Sequence, residues 1–286
     1  MDPVRKIDLH MHTTFSDGTD TPEEILQRVR EAGITLFSVT DHDSIGGAAR
    51  IRKIRTSSDP LFINGVEFSC KDEEGQYHIL GYGYDFLAPS ILKMVAETHA
   101  LRMKKVRRRL EILRDEYKVA LPEEEVSELL KQENPGKPHI ANLMVRYGFA
   151  ESKDRAIRDV LNKIRLRSEY VRPETAIEAI LRAGGVPVLA HPYYGSGDQL
   201  ILGEEMEERL QKLIGFGLEG VEACYSGFTD RLRRQMLTLA ERFGLYVTAG
   251  SDYHGVNKLV VLGDTGLEEN EEIPEGLRRF IGRVMK

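Results

Sequence analysis

The chain has 286 residues, 41% hydrophobic and 30% charged, with a formal net charge of −6 and a pI near 5.8. That length accommodates one large barrel-type domain or about two ordinary ones. The acidic balance argues against a surface that coats nucleic acid, while leaving room for a local basic patch around an anionic substrate.

No run approaches the roughly 18 apolar residues of a membrane span, and the opening "MDPVRKIDLH" carries no apolar signal core, so a cytoplasmic protein without membrane contact is expected. Cys70 and Cys224 are too few for a disulfide framework and lack C-x-x-C spacing, so both read as reduced, semi-buried thiols.

The first element, Ile7 to His12, alternates: Asp8, His10 and His12 share one strand face, Ile7, Leu9 and Met11 the other. Thr21 then reads as an N-cap with Pro22 at the first helical position, Glu24 closing a capping box and Gly33 ending the helix. The unit of strand, polar loop and helix recurs. "ITLFSVTDHDS" ends in Asp41-His42-Asp43, "LFINGVEFSC" in Glu67, and "YHILGYGYD" carries His78. Further on, "GVPVLAHPYY" ends in His191, "GLEGVEACYS" carries Glu222, and "LYVTAGSDYHG" ends in Asp252 and His254. Roughly seven strands alternate with helical stretches such as Ala176 to Ala183 and Arg231 to Phe243, which signals an α/β protein with a parallel sheet.

The polar residues cluster at strand C-terminal ends, which a β/α barrel gathers on one face. An open doubly wound sheet would favour a glycine-rich phosphate loop after the first strand, and "HMHTTFSDG" is not one. Between about Glu97 and Arg172 the strand rhythm gives way to charge-rich helical sequence. The expected organisation is a barrel first part over 1–96, an inserted helical subdomain over 97–172 above the active-site face, and a barrel second part over 173–286.

Six histidines (His10, His12, His42, His78, His191 and His254) lie in or at the ends of these strands with Asp17, Glu67 and Asp252. A lone histidine there is usually structural; six on one face with carboxylates point to divalent cations, which neutralise the carboxylates and use the imidazole lone pairs. Nine donors exceed one ion's coordination and suit two or three sharing a carboxylate. Nitrogen and oxygen donors without thiolate favour manganese, zinc or iron. Clustered ions suit hydrolysis: a bridging hydroxide attacks while the metals clamp phosphate oxygens, and no protein nucleophile is required. Neither a G-x-S-x-G elbow nor a Walker loop occurs.

The ordered segments "DLHMHTTFSDG", "VTDHDSIGG", "GVEFSC", "HILGYG", "GKPHIANLMVRYGF", "AGGVPVLAHPYY", "GLEGVEACYS" and "GSDYHG" resemble the PHP (polymerase and histidinol phosphatase) family. They are most similar to stand-alone phosphoesterases of the nucleoside 3′,5′-bisphosphate phosphatase and short-RNA exonuclease kind. The resemblance implies a distorted seven-stranded β/α barrel with a trinuclear site. It would give His10, His12, Glu67 and Asp252 to one ion, Glu67 with His78 and His191 to a second, and Asp17, His42 and His254 to a third, Glu67 bridging.

In "GKPHIAN" the family commonly has arginine where this chain has Lys137, which keeps the charge without the bidentate geometry. His139 is the candidate for a phosphate contact or for protonating the leaving oxygen, and so joins Glu67 and Asp252 as a catalytic candidate. Within "RMKKVRRR", Arg102 or Lys105 could bind phosphate; Asp41 and Asp43 could orient histidines from behind; Tyr193 and Tyr194 either stack on a base or cap the barrel.

The expected function is metal-dependent hydrolysis of a phosphomonoester on a 3′,5′-bisphosphate nucleotide or a short oligonucleotide end. The alternatives are a histidinol-phosphate phosphatase, an amidohydrolase-like C–N hydrolase with a lysine bridge, and a non-enzymatic metal-stabilised regulatory module. No protein partner is indicated.

Overall fold

The structure, a computed structural model, describes residues 6–164, 166, 170–195, 199–267 and 271–285. Strands β1 (Ile7–Asp8), β2 (Leu36–Phe37) and β3 (Leu61–Phe62) make a parallel three-stranded sheet. Strands β4 (Gly65–Lys71), β5 (Gln76–Tyr82), β6 (Val186–Leu189), β7 (Gly220–Tyr225) and β8 (Tyr246–Gly250) make a five-stranded one. The seven-stranded ring expected from the sequence thus resolves into two sheets. Main-chain hydrogen bonds link their edges: Leu9 N to Ala249 O and Asp252 N to His10 O, both 2.8 Å, on one side, and Asp43 N to Glu67 O, 2.8 Å, on the other.

The sheet is not wholly parallel. β5 runs antiparallel to both β4 and β6, whereas β6–β7 and β7–β8 are parallel. The cause is local: only residues 72–75 separate β4 from β5, and Asp72 Oδ1 accepts from the backbone N–H of Glu74 (2.9 Å) and Gly75 (3.2 Å), a tight turn that can only join antiparallel strands. This reversal corrects the strand-end rule for one residue. His78 stands near the start of β5, opposite Ser69, and reaches the common face because its strand runs backwards.

Helix α1 (Pro22–Glu31) begins as expected, with the Thr21–Glu24 capping box and Pro22 in its first turn, and Gly33 follows it at φ +68°. Helices α2 (Gly46–Ile54), α7 (Pro173–Arg182), α8 (Gly203–Gly215), α9 (Asp230–Arg242) and α10 (Glu275–Val284) flank the strands. On α7 the buried Ala176, Ile177, Ala179 and Ile180 form the stripe that closes against β5 and β6. Covered this way, β6 and β7 are buried at every position, as a strand with helices over its outer face must be.

The charge-rich stretch forms α3 (Pro89–Asp115), α4 (Glu123–Lys131), α5 (Lys137–Arg146) and α6 (Lys153–Arg155), the last running into a π-helical turn, Ala156–Leu161. These helices share an apolar cluster including Val106, Leu113, Leu129, Ile140, Met144 and Leu161. Ile91 and Met94, earlier on α3, belong instead to the cluster around β4–β8. Helix α3 therefore crosses from one core to the other, and Glu97 falls inside it. Cys70 and Cys224 are buried free thiols. Among the described residues no helix is long and apolar enough to cross a membrane.

Candidate metal centre

His10 and His12 follow β1 on chain tied by main-chain bonds to the end of β8, so both rings project to the same side; their Nε2 atoms are 3.2 Å apart. Glu67 enters from the middle of β4 and Asp252 from just beyond β8. The Nε2 atoms of His10 and His12 lie 3.4 and 3.3 Å from Glu67 Oε2, and 3.4 and 3.3 Å from Asp252 Oδ1. Separations of this size are the edges of a tetrahedron whose centre is about 2.0–2.1 Å from each donor, the length of a zinc–nitrogen or zinc–oxygen bond.

The other carboxylate oxygen of Glu67 serves a second group: Oε1 is 2.9 Å from His78 Nδ1 and 3.2 Å from His191 Nε2, and those two nitrogens are 3.2 Å apart. A third group gathers His12, Asp17, His42 and His254, with His254 Nε2 3.2 Å from Asp17 Oδ1. His42 Nδ1 is also 3.0 Å from Glu67 Oε2. All nine expected donors are thus brought together around Glu67.

The fit to divalent cations rests on what these atoms lack. Glu67 Oε2, Asp17 Oδ1 and His42 Nδ1 are buried without a hydrogen-bond partner among the described residues, a costly state for polar atoms, and all three belong to the donor groups. The close approach of His42 to Glu67 is misaligned for a hydrogen bond, as when two atoms aim at a common third point.

Electrostatics follow from the crowding. Burial opposes the charge on Glu67, but His42, His78 and His10 outweigh it and hold the carboxyl well below the usual range. Asp17 is held down likewise by His254 and His42, against burial. Burial pushes His42 down to about 3 despite Glu67 and Asp17, whereas at His12 the adjacent Asp252 and Glu67 carboxylates outweigh burial and hold the ring up at about 9.

The backbone around the donors is strained: His191 (φ +28°), Asp252 (φ +58°) and the adjacent Asp43 (φ +53°) are non-glycine residues at positive φ. Such conformations persist only where surrounding contacts impose them, and they gather at functional sites.

Glu222 was visible in the sequence only as a charged residue in a buried strand. Fully buried, it accepts from His10 Nδ1 at 2.9 Å and from the backbone N–H of His191 at 2.8 Å. That fixes the His10 tautomer and turns its Nε2 lone pair to the centre. Tyr225 donates its hydroxyl to Asp252 Oδ2 at 2.9 Å, and Lys258 pairs with the same carboxylate; no sequence pattern singled out either.

Asp41 accepts from Thr13 N and Oγ1, each at 2.7 Å, and from Ser16 Oγ at 2.6 Å, so it reaches His12 only through Ser16. Asp43 is paired with Arg102, which also donates to Ser69 Oγ at 3.2 Å. Asp43 therefore orients no imidazole and Arg102 is already committed. Lys137 donates to Asn162 Oδ1 at 2.7 Å. His139 accepts on Nδ1 from Gly136 N at 3.0 Å, capping α5, and lines a hollow with Glu125, Glu128 and Arg146. Burial pushes its pKa down, against the pull of Asp17. Tyr193 and Tyr194 donate to Leu232 O (3.1 Å) and Gly227 O (2.8 Å), which ties them to the wall.

Over the donors lies a cavity of ≈290 Å³. Its floor is Asp17, His42, Glu67, His78, His191, Asp252 and His254; Pro138, Lys153, Asp154 and Ile157 roof it, with Asn257 and Lys258 at the rim. Lys153 Nζ donates to Asn257 Oδ1 at 2.9 Å, and Asn257 Nδ2 to Asp17 O at 2.7 Å, so a helix of the charge-rich stretch is latched to the rim. A larger groove of ≈750 Å³ between α8 and α9 has no converging donors.

The sequence profile of the PHP domain matches residues 8–167. A 5′-3′ exoribonuclease of Haemophilus influenzae is 28% identical over 255 residues, covering 88% of this chain and 90% of that protein. A 3′,5′-nucleoside bisphosphate phosphatase of Chromobacterium violaceum is 29% identical over 280 residues, covering 95% and 93%. The crystal structure of a protein described as a metal-dependent phosphoesterase, from Bifidobacterium adolescentis, superposes with a TM-score of 0.84 at 30% identity, covering 98% of this chain and 97% of that one.

Proposed function

The chain belongs to the PHP domain family, and on that footing we propose that it is a metal-dependent phosphohydrolase acting on a 3′,5′-bisphosphate nucleotide or the phosphorylated end of a short oligonucleotide. The observation that carries this reading is Glu67: one buried carboxylate whose two oxygens face five histidines at 2.9–3.4 Å. The holders would be His10, His12, Glu67 and Asp252 for one ion, Glu67, His78 and His191 for a second, and Asp17, His42 and His254 for a third. Manganese, zinc or iron bound there supplies a lowered water pKa and positive charge against phosphate oxygens.

The chain's own residues prepare this. Glu222 holds His10 and the His191 backbone in place. Tyr225 and Lys258 occupy Asp252 Oδ2, leaving Oδ1 toward the histidines. Lys153 stands at the cavity wall with positive charge for an entering phosphate ester. The two sheets, joined at both edges by main-chain bonds, are read as one distorted seven-stranded barrel in which β3 and β4 form a single stave. The helices of 97–172 are read as an insertion roofing the strand ends.

The test, with manganese, is phosphate release from adenosine 3′,5′-bisphosphate, adenosine 5′-monophosphate, histidinol phosphate and a 5′-phosphorylated short RNA, and amine release from an amide panel. Preference for the bisphosphate or the RNA supports the reading. Preference for histidinol phosphate moves the substrate, amide cleavage moves the reaction class, and no turnover with any metal leaves the regulatory module.

A further inference from the structure

We propose that the helices of 97–172 govern the third donor group: their side chains hold the loops that carry Asp17 and His42, so a cation in that group and the docked helices stabilise each other. The inference rests on the metal-dependent reading and adds which of the ions the charge-rich stretch controls.

The three donor groups are not supported alike. Glu222, Tyr225 and Lys258, which brace His10, His191 and Asp252, all lie outside 97–172. Asp17 and His42 instead sit on loops, and the β pairing there is a single bridge from His42 to Glu67.

Around His42 the chain is gripped at three consecutive residues. Asn134 Nδ2 donates to the His42 carbonyl at 2.9 Å, Arg102 Nε donates to Asp43 Oδ2 at 3.1 Å, and Ser44 Oγ donates to Glu133 Oε1 at 2.7 Å. Arg102 belongs to α3, and Glu133 and Asn134 to the turn between α4 and α5. Asn134 and Ser44 are 2% and 1% exposed, so a partner lost here leaves a buried polar group unpaired. Asp43 itself stands at φ +53°, a conformation that surrounding contacts must impose.

Asp17 is reached by a relay. Lys153, at the start of α6, donates to Asn257 Oδ1 at 2.9 Å, and Asn257 Nδ2 donates to the Asp17 carbonyl at 2.7 Å. All of these bonds end on main chain or on residues beside the donors, never on a donor atom. They set where the donors sit without competing for the cation.

The helices bury Val106, Leu129 and Met144 in an apolar cluster of their own, apart from the clusters around the strands. The joint between α4–α6 and the donor loops is thus carried by the polar contacts above. Coupling through such a joint is reciprocal: docked helices favour the third cation, and the cation favours docked helices.

The experiment titrates manganese by calorimetry into chelator-treated wild type, Asn134→Ala, Lys153→Met and His254→Ala. Backbone amide exchange over residues 123–164 is followed with and without manganese. Wild type should bind at least two ions and exchange more slowly when loaded. His254→Ala should lose one ion, which identifies the third group in the titration. Asn134→Ala and Lys153→Met should weaken that same ion at least tenfold, leave the others unchanged, and lose the manganese-dependent slowing. The sign is informative for Lys153, because removing a nearby positive charge would by itself strengthen cation binding; weaker binding reports position.

All ions weakened equally, or none, overturns the proposal and leaves the metal-dependent reading standing, as does exchange in wild type that is indifferent to manganese. A wild type that binds neither manganese nor zinc overturns both. Lys153 is partly exposed, so its variant remains informative if the buried Asn134→Ala does not fold.

Discussion

Replacing Glu222 by glutamine tests whether the donor cluster depends on residues that never face the substrate. Glu222 is fully buried and uses one oxygen for His10 Nδ1 (2.9 Å) and the other for His191 N (2.8 Å). Glutamine has the same shape but a single acceptor, so its amide N–H₂ must face one of these donors. One buried donor is left unpaired, at about 1–3 kcal/mol. The His10 tautomer is no longer fixed, and loss of such a support typically weakens metal binding ~10–100-fold, which is about 1.4–2.8 kcal/mol at roughly 1.4 kcal/mol per decade. The two routes agree in size. Manganese titration by calorimetry on chelator-treated protein, with thermal unfolding in parallel, measures both. The expected result is a Kd raised by at least tenfold together with a lower Tm. A lower Tm with unchanged manganese affinity would refute the orienting role and leave Glu222 as a structural carboxylate.

Three further outcomes follow from the same geometry. A Cβ at Gly250 would come within 2.3 Å of both Glu222 Oε1 and His10 Cβ; Gly250→Ala should therefore displace His10 and lower manganese affinity and phosphate release together, and wild-type values in calorimetry and turnover would contradict the packing. Leu113 is fully buried in the helical cluster, so Leu113→Ala should cost about 2–5 kcal/mol in urea unfolding, and a loss under 1 kcal/mol would mean the cluster is loosely packed. Lys105 and Lys137 have pKa values lowered in the folded chain to about 8 from 10.5, so between those pH values the unfolded chain binds more protons and stability rises with pH. Urea unfolding at pH 8 and pH 10 should show a rise that shrinks in Lys105→Met, and an unchanged difference in that variant would contradict the burial of the charge.

What could be read from the sequence was the chemistry carried by alternation and spacing. His10 and His12 had to share a face because strand side chains alternate, and the capping box at Thr21 specified where α1 starts. The reversal of β5 was less visible, although "KDEEG" between two apolar runs is the composition of a tight turn. The regular recurrence of strand and helix outweighed that local signal and led to an all-parallel expectation.

Residues that act through others were hidden for a different reason. Glu222 is brought to His10, 212 residues away, and Tyr225 to Asp252, 27 residues away, by strand pairing, and Lys258 to Asp252 by the turn after β8, contacts that no local pattern encodes. In the charge-rich stretch, sequence marks a basic helix but not which cations are buried. Arg102 turns out to be matched by Asp43 and His139 to cap α5, while the buried Nε of Arg109, unremarkable in "RMKKVRRR", has no hydrogen-bond partner among the described residues.

The most direct test of Glu67 as the shared ligand is to strip the protein with a chelator, reload it with manganese, and count ions per chain alongside phosphate release from adenosine 3′,5′-bisphosphate, for wild type and Glu67→Gln. Wild type should take up two or three ions and release phosphate only after reloading. Glu67→Gln should bind fewer ions and lose activity by about three orders of magnitude, equivalent to about 4 kcal/mol of transition-state stabilisation at 1.36 kcal/mol per decade. A Glu67→Gln variant that binds as many ions and turns over at the wild-type rate would contradict the assignment of the bridge and, with it, the reading of the cluster.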